Sequence, residues 1–133
     1  KINIEQVDEV SASGYFTSLS IENLSKELRC NFRYGDIMVE NINDRFTFIS
    51  LDSENTDIDL QFKRSTSYLI DIAHSNDVYI NLPASLAKIQ TRELDVEQKL
   101  MLTYGKIGST ATETSHKVKI NAPKKCVINI IHR

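Results

Sequence analysis

Asp36-Ile-Met-Val-Glu-Asn41, Asp57-Ile-Asp-Leu-Gln-Phe62 and Asp77-Val-Tyr-Ile-Asn-Leu82 read as three copies of one short pattern. Each opens on an aspartate that follows a small or polar residue (Gly35, Thr56, Asn76) and then sets apolar side chains at every second position. That alternation is what a strand with one buried face requires. The aspartates stand 21 and 20 residues apart, and a fixed period of this length marks a chain that stacks short repeats. The stretch from Leu28 to Pro83 therefore organises the sequence.

The pattern extends in both directions. Upstream, Leu19-Ser-Ile-Glu-Asn-Leu24 matches Ile37-Met-Val-Glu-Asn-Ile42 at an offset of 18 and reads as a first, degenerate copy. Leu28, Cys30 and Phe32 alternate with Arg29, Asn31 and Arg33, which predicts a half-buried strand with a basic outer face. Tyr34-Gly35-Asp36 reads as a corner in which Gly35 supplies the positive φ. Arg45 to Leu51 is rich in β-formers. Turns are predicted at 11–14, 41–44, 52–56, 63–67, 74–76 and 121–125. Downstream, Ala84 to Gln98 breaks the rhythm; its composition permits a short helix, and it reads as an irregular insertion between repeats. Tyr104-Gly-Lys-Ile107 repeats the Tyr34-Gly-Asp-Ile37 corner, a polar loop covers 108–115, and Val118, Ile120, Cys126, Ile128 and Ile130 resume the alternation.

Counting the first inward residue after each corner gives Ile37, Ile58, Val78, Ile107 and Cys126, at steps of 21, 20, 29 and 19. The long step contains the insertion. A second column of Val39, Leu60, Ile80, Ser109 and Ile128 follows. The expected fold is all-β: one domain over 1–133, a β-solenoid with rungs of about 20 residues and an insertion near 84–98. Repeated corners favour the solenoid. A β-sandwich of hairpins is the alternative.

Composition narrows the function classes. A share of 41% hydrophobic and 26% charged residues suits a folded globular chain. The net charge of −2 offers no broad basic field, so nucleic acid is not an expected partner. No apolar run approaches the ~20 residues that cross a bilayer. Lys1 rather than Met opens the chain, which predicts a processed or excised segment. Cys30 and Cys126 both lie in apolar alternation and read as two buried thiols rather than a disulfide.

Chemical motifs are sparse. There is no nucleophile elbow, P-loop, dinucleotide fingerprint or HExxH pair. His74, His116 and His132 lack partners at metal-ligand spacing. His74 with Asp77 is the one acid–base pairing the spacing suggests, and chance neighbours in a polar corner are the plainer account. Stacked Asp36, Asp57 and Asp77, with Asp52, Glu54 and Asp59 nearby, could hold a cation, yet the stretch lacks the glycine of a calcium loop. Turn-capping aspartates are the simpler reading. The column continues as Lys106 and Lys125, which predicts an Asp77–Lys106 contact if those rungs adjoin. Arg29, Arg33, Lys117, Lys119, Lys124 and Lys125 could form a modest basic patch, or simply a solvated strand face. Tyr15, Tyr34, Tyr68, Tyr79 and Tyr104 are candidates for ligand contact, and Asn23-Leu-Ser25 matches a glycosylation sequon. No catalytic, cofactor-binding or metal-binding residue is assigned.

The strand–Tyr34-Gly-Asp-Ile37–strand pattern, echoed at Thr56-Asp-Ile58, Asn76-Asp-Val78 and Tyr104-Gly-Lys-Ile107, resembles the bacterial adhesin family of short β-strand repeats, exported proteins of Bacteroidetes type. The resemblance covers roughly Leu19 to Ile130. It implies a right-handed β-solenoid outside the cytoplasm, in the periplasm, on the cell surface or secreted, with no known catalytic residues and no cofactor. The expected function is a non-enzymatic surface-binding or assembly scaffold with a protein or glycan ligand. A carbohydrate-active hydrolase using a solenoid groove, and a sensory or scaffold domain of a membrane protein, are the alternatives. Unpaired terminal strands predict self-association through a terminal rung.

Overall fold

Alternating apolar residues produce strands with little room for anything else. The computed structural model describes residues 1–83, 87–108 and 116–133, and these form β-strands, turns and bends without a helix. The strands are β1 (Ile2–Tyr15), β2 (Ser18–Ile42), β3 (Phe48–Phe62), β4 (Tyr68–Ser75), β5 (Tyr79–Asn81), β6 (Ala87–Asp95), β7 (Leu100–Ile107), β8 (Lys117–Ala122) and β9 (Val127–His132). They build one mixed sheet that does not close on itself.

Parallel pairing dominates. Ile4 lies opposite Ile21 and Ala12 opposite Cys30 between β1 and β2. Leu28 lies opposite Ile49 and Ile37 opposite Ile58 between β2 and β3. β2 is long enough to run beside itself: the Asp36 N–H donates to the Thr17 carbonyl at 3.3 Å, and the Asn43 N–H to that of Leu24 at 2.9 Å.

Beyond β3 the spatial order departs from the chain order. β8 lies between β3 and β4, with Val118 opposite both Ile49 and Ile70. β9 lies between β3 and β5, with Ile128 opposite both Ile58 and Ile80. The late segment thus fills a slot between two segments that are closer to each other in sequence. Antiparallel strands complete the far side, with β7 on β4 and β6 on β7.

The inward rows follow this order. One reads Leu28, Ile49, Val118, Ile70, and the next Cys30, Leu51, Ile120, Ile72. On the other side of the core run Ile37, Ile58, Ile128, Ile80 and then Val39, Leu60, Ile130. All are buried except Ile80, which is half-buried. Similar aliphatic side chains about 4.8 Å apart pack row upon row. The rows fade at β1, where Ile4, Val7, Val10 and Ala12 are only partly covered.

Several expectations are corrected. The neighbour of Ile58 is Ile128, not Val78, and Ile80 stands where the repeat count put Val78. Cys126 is buried but lies two residues before the place taken by Ile128. Ile107 is in antiparallel β7, opposite Tyr68 and Ala87. Tyr104-Gly-Lys-Ile107 is therefore the C-terminal half of a strand rather than a corner. Lys106 faces Leu69 and Lys88 in register, so the Asp77–Lys106 contact is not formed. Among the described residues the insertion contributes strand β6 over 87–95 and no helix; its residues 84–86, like Ser109 and the loop over 109–115, lie outside the described residues.

The turns expected at 11–14 and 52–56 lie within strands β1 and β3, where in-register pairing with β2 carries the chain through them, and the corner residue is also reassigned. Tyr34, not Gly35, takes the left-handed conformation, at φ 58°. Gly35 is needed for contact instead, because a Cβ there would sit 2.0 Å from the Thr17 carbonyl oxygen.

This register can be tested by double-mutant cycles in urea. Ile58→Ala and Ile128→Ala should each cost about 2–5 kcal/mol and show coupling of about 0.5–3 kcal/mol. Ile58→Ala with Val78→Ala should be additive to within about 0.5 kcal/mol. Stronger coupling to Val78 than to Ile128 would refute the order β3–β9–β5.

Candidate binding face

The outward residues of the same strands lie in ladders too. One ladder reads Ser11, Arg29, Ser50, Lys119, Asp71. Beside it run Ser13, Asn31, Asp52 and Asn121, where the Asn121 amide donates to Asp52 Oδ1 at 3.3 Å. Short polar side chains on a pleated surface leave a shallow, open strip lined by Ser11, Ser13, Arg29, Asn31, Ser50 and Asp52.

Its charges are balanced. Arg29 donates to Glu27 at 2.7 Å and lies over the Phe48 ring at 4.8 Å. Lys117 meets Asp71 at 3.1 Å, and Arg33 stands 3.8 Å from Glu54. Exposed pairs of this kind contribute little stability, but they cancel the basic patch expected from Arg29, Arg33 and Lys117. Lys119 sits in the ladder beside Asp71, and Lys124 and Lys125 occupy the bend between β8 and β9.

At one end the strip meets an aromatic corner. Tyr15 is 64% exposed, Phe16 80% and Tyr34 51%. Phe16 and Tyr34 stack with centroids 5.2 Å apart and planes 14° apart. The Phe16 N–H donates to the Arg33 carbonyl at 2.9 Å, and the Arg33 guanidinium lies 5.7 Å from the Tyr15 ring centre. Ser13, Gly14, Tyr15, Asn31 and Arg33 line a depression here. Phe16 and Tyr34 both have positive φ, 52° and 58°, and Asn55 follows at 49°. Asparagine tolerates that region; bulky aromatic residues rarely enter it.

The aspartates do not form one column. Asp36 lies opposite Asp57, but Val127 comes next. Asp57 accepts the Val127 N–H at 2.9 Å, so it ties a neighbouring strand rather than its own turn. Asp77 accepts from the Ser75 hydroxyl. Among the described residues no group of three or more His, Cys, Asp or Glu is placed to hold a metal.

His74 is turned away from Asp77. It is buried, with Nδ1 on the Ser75 carbonyl and Nε2 on the Thr103 hydroxyl, both at 2.8 Å, and Thr103 meets Thr91 at 3.1 Å. His116 Nδ1 contacts the Phe46 carbonyl. His132 Nε2 meets the Tyr68 hydroxyl at 2.8 Å. Tyr68 is therefore core, stacked on Phe62 at 4.4 Å, rather than a ligand contact. Tyr104 bonds Gln90 within the β6–β7 pair, while Tyr79 is exposed on β5. Burial pushes the Cys30 thiol up to about 12. Burial, aided by Asp57 and Asp77, pushes Cys126 up to about 11. Neither is a ready nucleophile.

No protein-family model, no curated protein and no solved structure matches this chain. No helix of the described residues is long and apolar enough to cross a membrane. Phe16 is the exposed residue that the sequence reading passed over. Its signal lay in the pair Tyr15-Phe16 following Gly14, next to a turn.

His132 gives a pH prediction. Burial lowers its pKa from the ordinary 6.5, so the unfolded chain binds the extra proton first as pH falls. The contribution is complete above 6.5 and is lost as pH drops towards the folded value. Thermal melts should show a Tm falling between about pH 7 and pH 5, with a shallower slope in His132→Phe. An equal slope in both proteins would exclude His132 as the source.

Proposed function

We propose that this chain is a non-enzymatic, extracytoplasmic surface-binding module of the adhesin type. The observation that carries this reading is the strip of short polar side chains held in register across β1, β2, β3 and β8 and ending in exposed aromatic rings. A flat array on a parallel sheet offers many weak, regularly spaced contacts, which suits adhesion better than conversion of one bound molecule. The hydrolase alternative needs acid and base groups free to act in one groove; Asp52 in the strip accepts from the Asn121 amide, Asp57 accepts the Val127 N–H, and His74 is committed to Thr103 and Ser75.

The architecture fits this role as a β-solenoid. Parallel partners 17 to 21 residues apart along β1, β2 and β3 support rungs of about 20 residues. A right hand follows the general preference of parallel crossover connections. In this reading the adhesin-like repeat supplies the scaffold and the outer strip supplies the contact.

Protease shaving of intact producing cells, followed by fractionation, tests the location. The chain should be cleaved on intact cells or recovered with the periplasm or medium. Recovery only with cytoplasmic markers would sink the proposal.

The free edge of β1 carries a second expectation. Among the described residues no strand pairs with its outer side along Ile2–Tyr15, and its inward residues are incompletely covered. Such an edge recruits further strands. Sedimentation velocity should show the average mass rising with concentration, and Val7→Lys should suppress the rise. A monomer at every concentration would rule this out.

A further inference from the structure

The aromatic corner carries a more specific assignment, which rests on the surface-binding reading above. We infer that Tyr15, Phe16 and Tyr34, with Ser13, Asn31 and Arg33, form a glycan-binding site that receives a pyranose ring at the end of the polar strip.

Three observations converge. First, the rings are placed outward against both hydration and backbone preference. Phe16 and Tyr34 are 80% and 51% exposed at left-handed φ values that bulky residues rarely adopt. Residues held in such conformations gather at binding sites. Asn55 shows that the same corner of the next layer forms with a residue suited to it, so the aromatic rings are not required for the turn.

Second, polar groups border one of the rings directly, and the Phe16–Tyr34 stack adjoins them through the chain neighbours Tyr15 and Arg33. Ser13, Asn31 and Arg33 share one depression with Tyr15. A protein-binding hot spot has an apolar centre sealed by a rim. A pyranose instead presents C–H bonds on its faces and hydroxyls around its edge. Its face packs on an aromatic plane, while a hydroxyl, a carboxamide and a planar guanidinium meet its edge.

Third, the depression leads into a ladder. Ser13 and Asn31 belong both to it and to the strip that continues through Asp52. The ladder spacing of about 4.8 Å is close to the length of one sugar ring, so a linear chain running across the strands meets a fresh polar side chain at each ring. Glu54 beside Arg33 moderates the positive charge, which suits neutral and weakly acidic sugars.

The test is a printed array of neutral and uronic-acid-containing oligosaccharides, probed with the whole chain, alongside plates coated with collagen or fibronectin. Wild type should bind one glycan class. The double variant Phe16→Asn/Tyr34→Asn should lose about tenfold or more in affinity. Because asparagine prefers the left-handed region, its Tm should hold or rise; a merely structural ring stack would lower it. Tyr15→Ala should also weaken binding, and Met38→Ala on the opposite outer face should not. Full binding by the double variant overturns the site. A blank array with binding to a protein-coated plate overturns the glycan class while leaving the surface-binding reading intact. Blank results on both also overturn the glycan site, and a cytoplasmic location in addition overturns the surface-binding reading.

Discussion

The parallel ladder that holds β8 and β9 in their slot is the interaction on which the remaining structure depends. Val118 and Ile120 complete rows that Ile49 and Leu51 begin and that Ile70 and Ile72 finish. Ile128 does the same between Ile58 and Ile80. Without these strands, β3 and β4 would each expose a backbone edge and a row of aliphatic side chains. A buried edge must find partners for its N–H and C=O groups, and here one segment satisfies two neighbours at once. The Asp57 carboxylate, receiving the Val127 N–H, fixes where β9 begins.

That constraint also shapes the surfaces. In-register packing inside imposes in-register display outside, so Arg29, Ser50 and Lys119 line up because Cys30, Leu51 and Ile120 do. Ion pairs then settle within a ladder, as at Arg33–Glu54, or diagonally between neighbouring ladders, as at Lys117–Asp71. The corner at Phe16 and Tyr34 is the place where the surface departs from this economy, since the two rings cover only each other and stay 80% and 51% exposed. Gly35 allows the approach on which the corner depends, by leaving room for the Thr17 carbonyl.

Much of the fold was legible in the sequence because alternation specifies which face is buried. Leu28, Cys30, Phe32, Ile58, Leu60, Val118 and Ile120 all point inward as their pattern requires. Register was less legible. A slip of one residue exchanges the faces, but a slip of two preserves them, so the sequence could not distinguish Val78 from Ile80, or Cys126 from Ile128, as the neighbour in a row. Spatial order was hidden for a similar reason, since every segment offers the same aliphatic row and several stacking orders satisfy it. Glycine at the Tyr34-Gly35 corner suggested a positive φ where the need was for close approach. The site was the least legible part. Phe16 carries no pattern, and its significance lies in an exposed ring and a strained backbone, both properties of three dimensions. Tyr68 misled in the opposite way, because its partner His132 is distant in sequence.

The slot has a consequence for how the molecule is made. Residues 117–132 are synthesised after both of the segments they separate, and Ile58 must wait for a partner 70 positions further on. Nearest-neighbour growth, which lets most stacked repeats fold as they emerge, stops at β3. The segments over 48–62 and 68–82 must stay apart, or separate again, before the final strands enter. Contacts so distant in sequence slow folding through the entropy of closing a long loop. They also leave two sticky edges waiting. Wedged between earlier layers, the late strands act as a keystone: the arch stands only once the last stone is in.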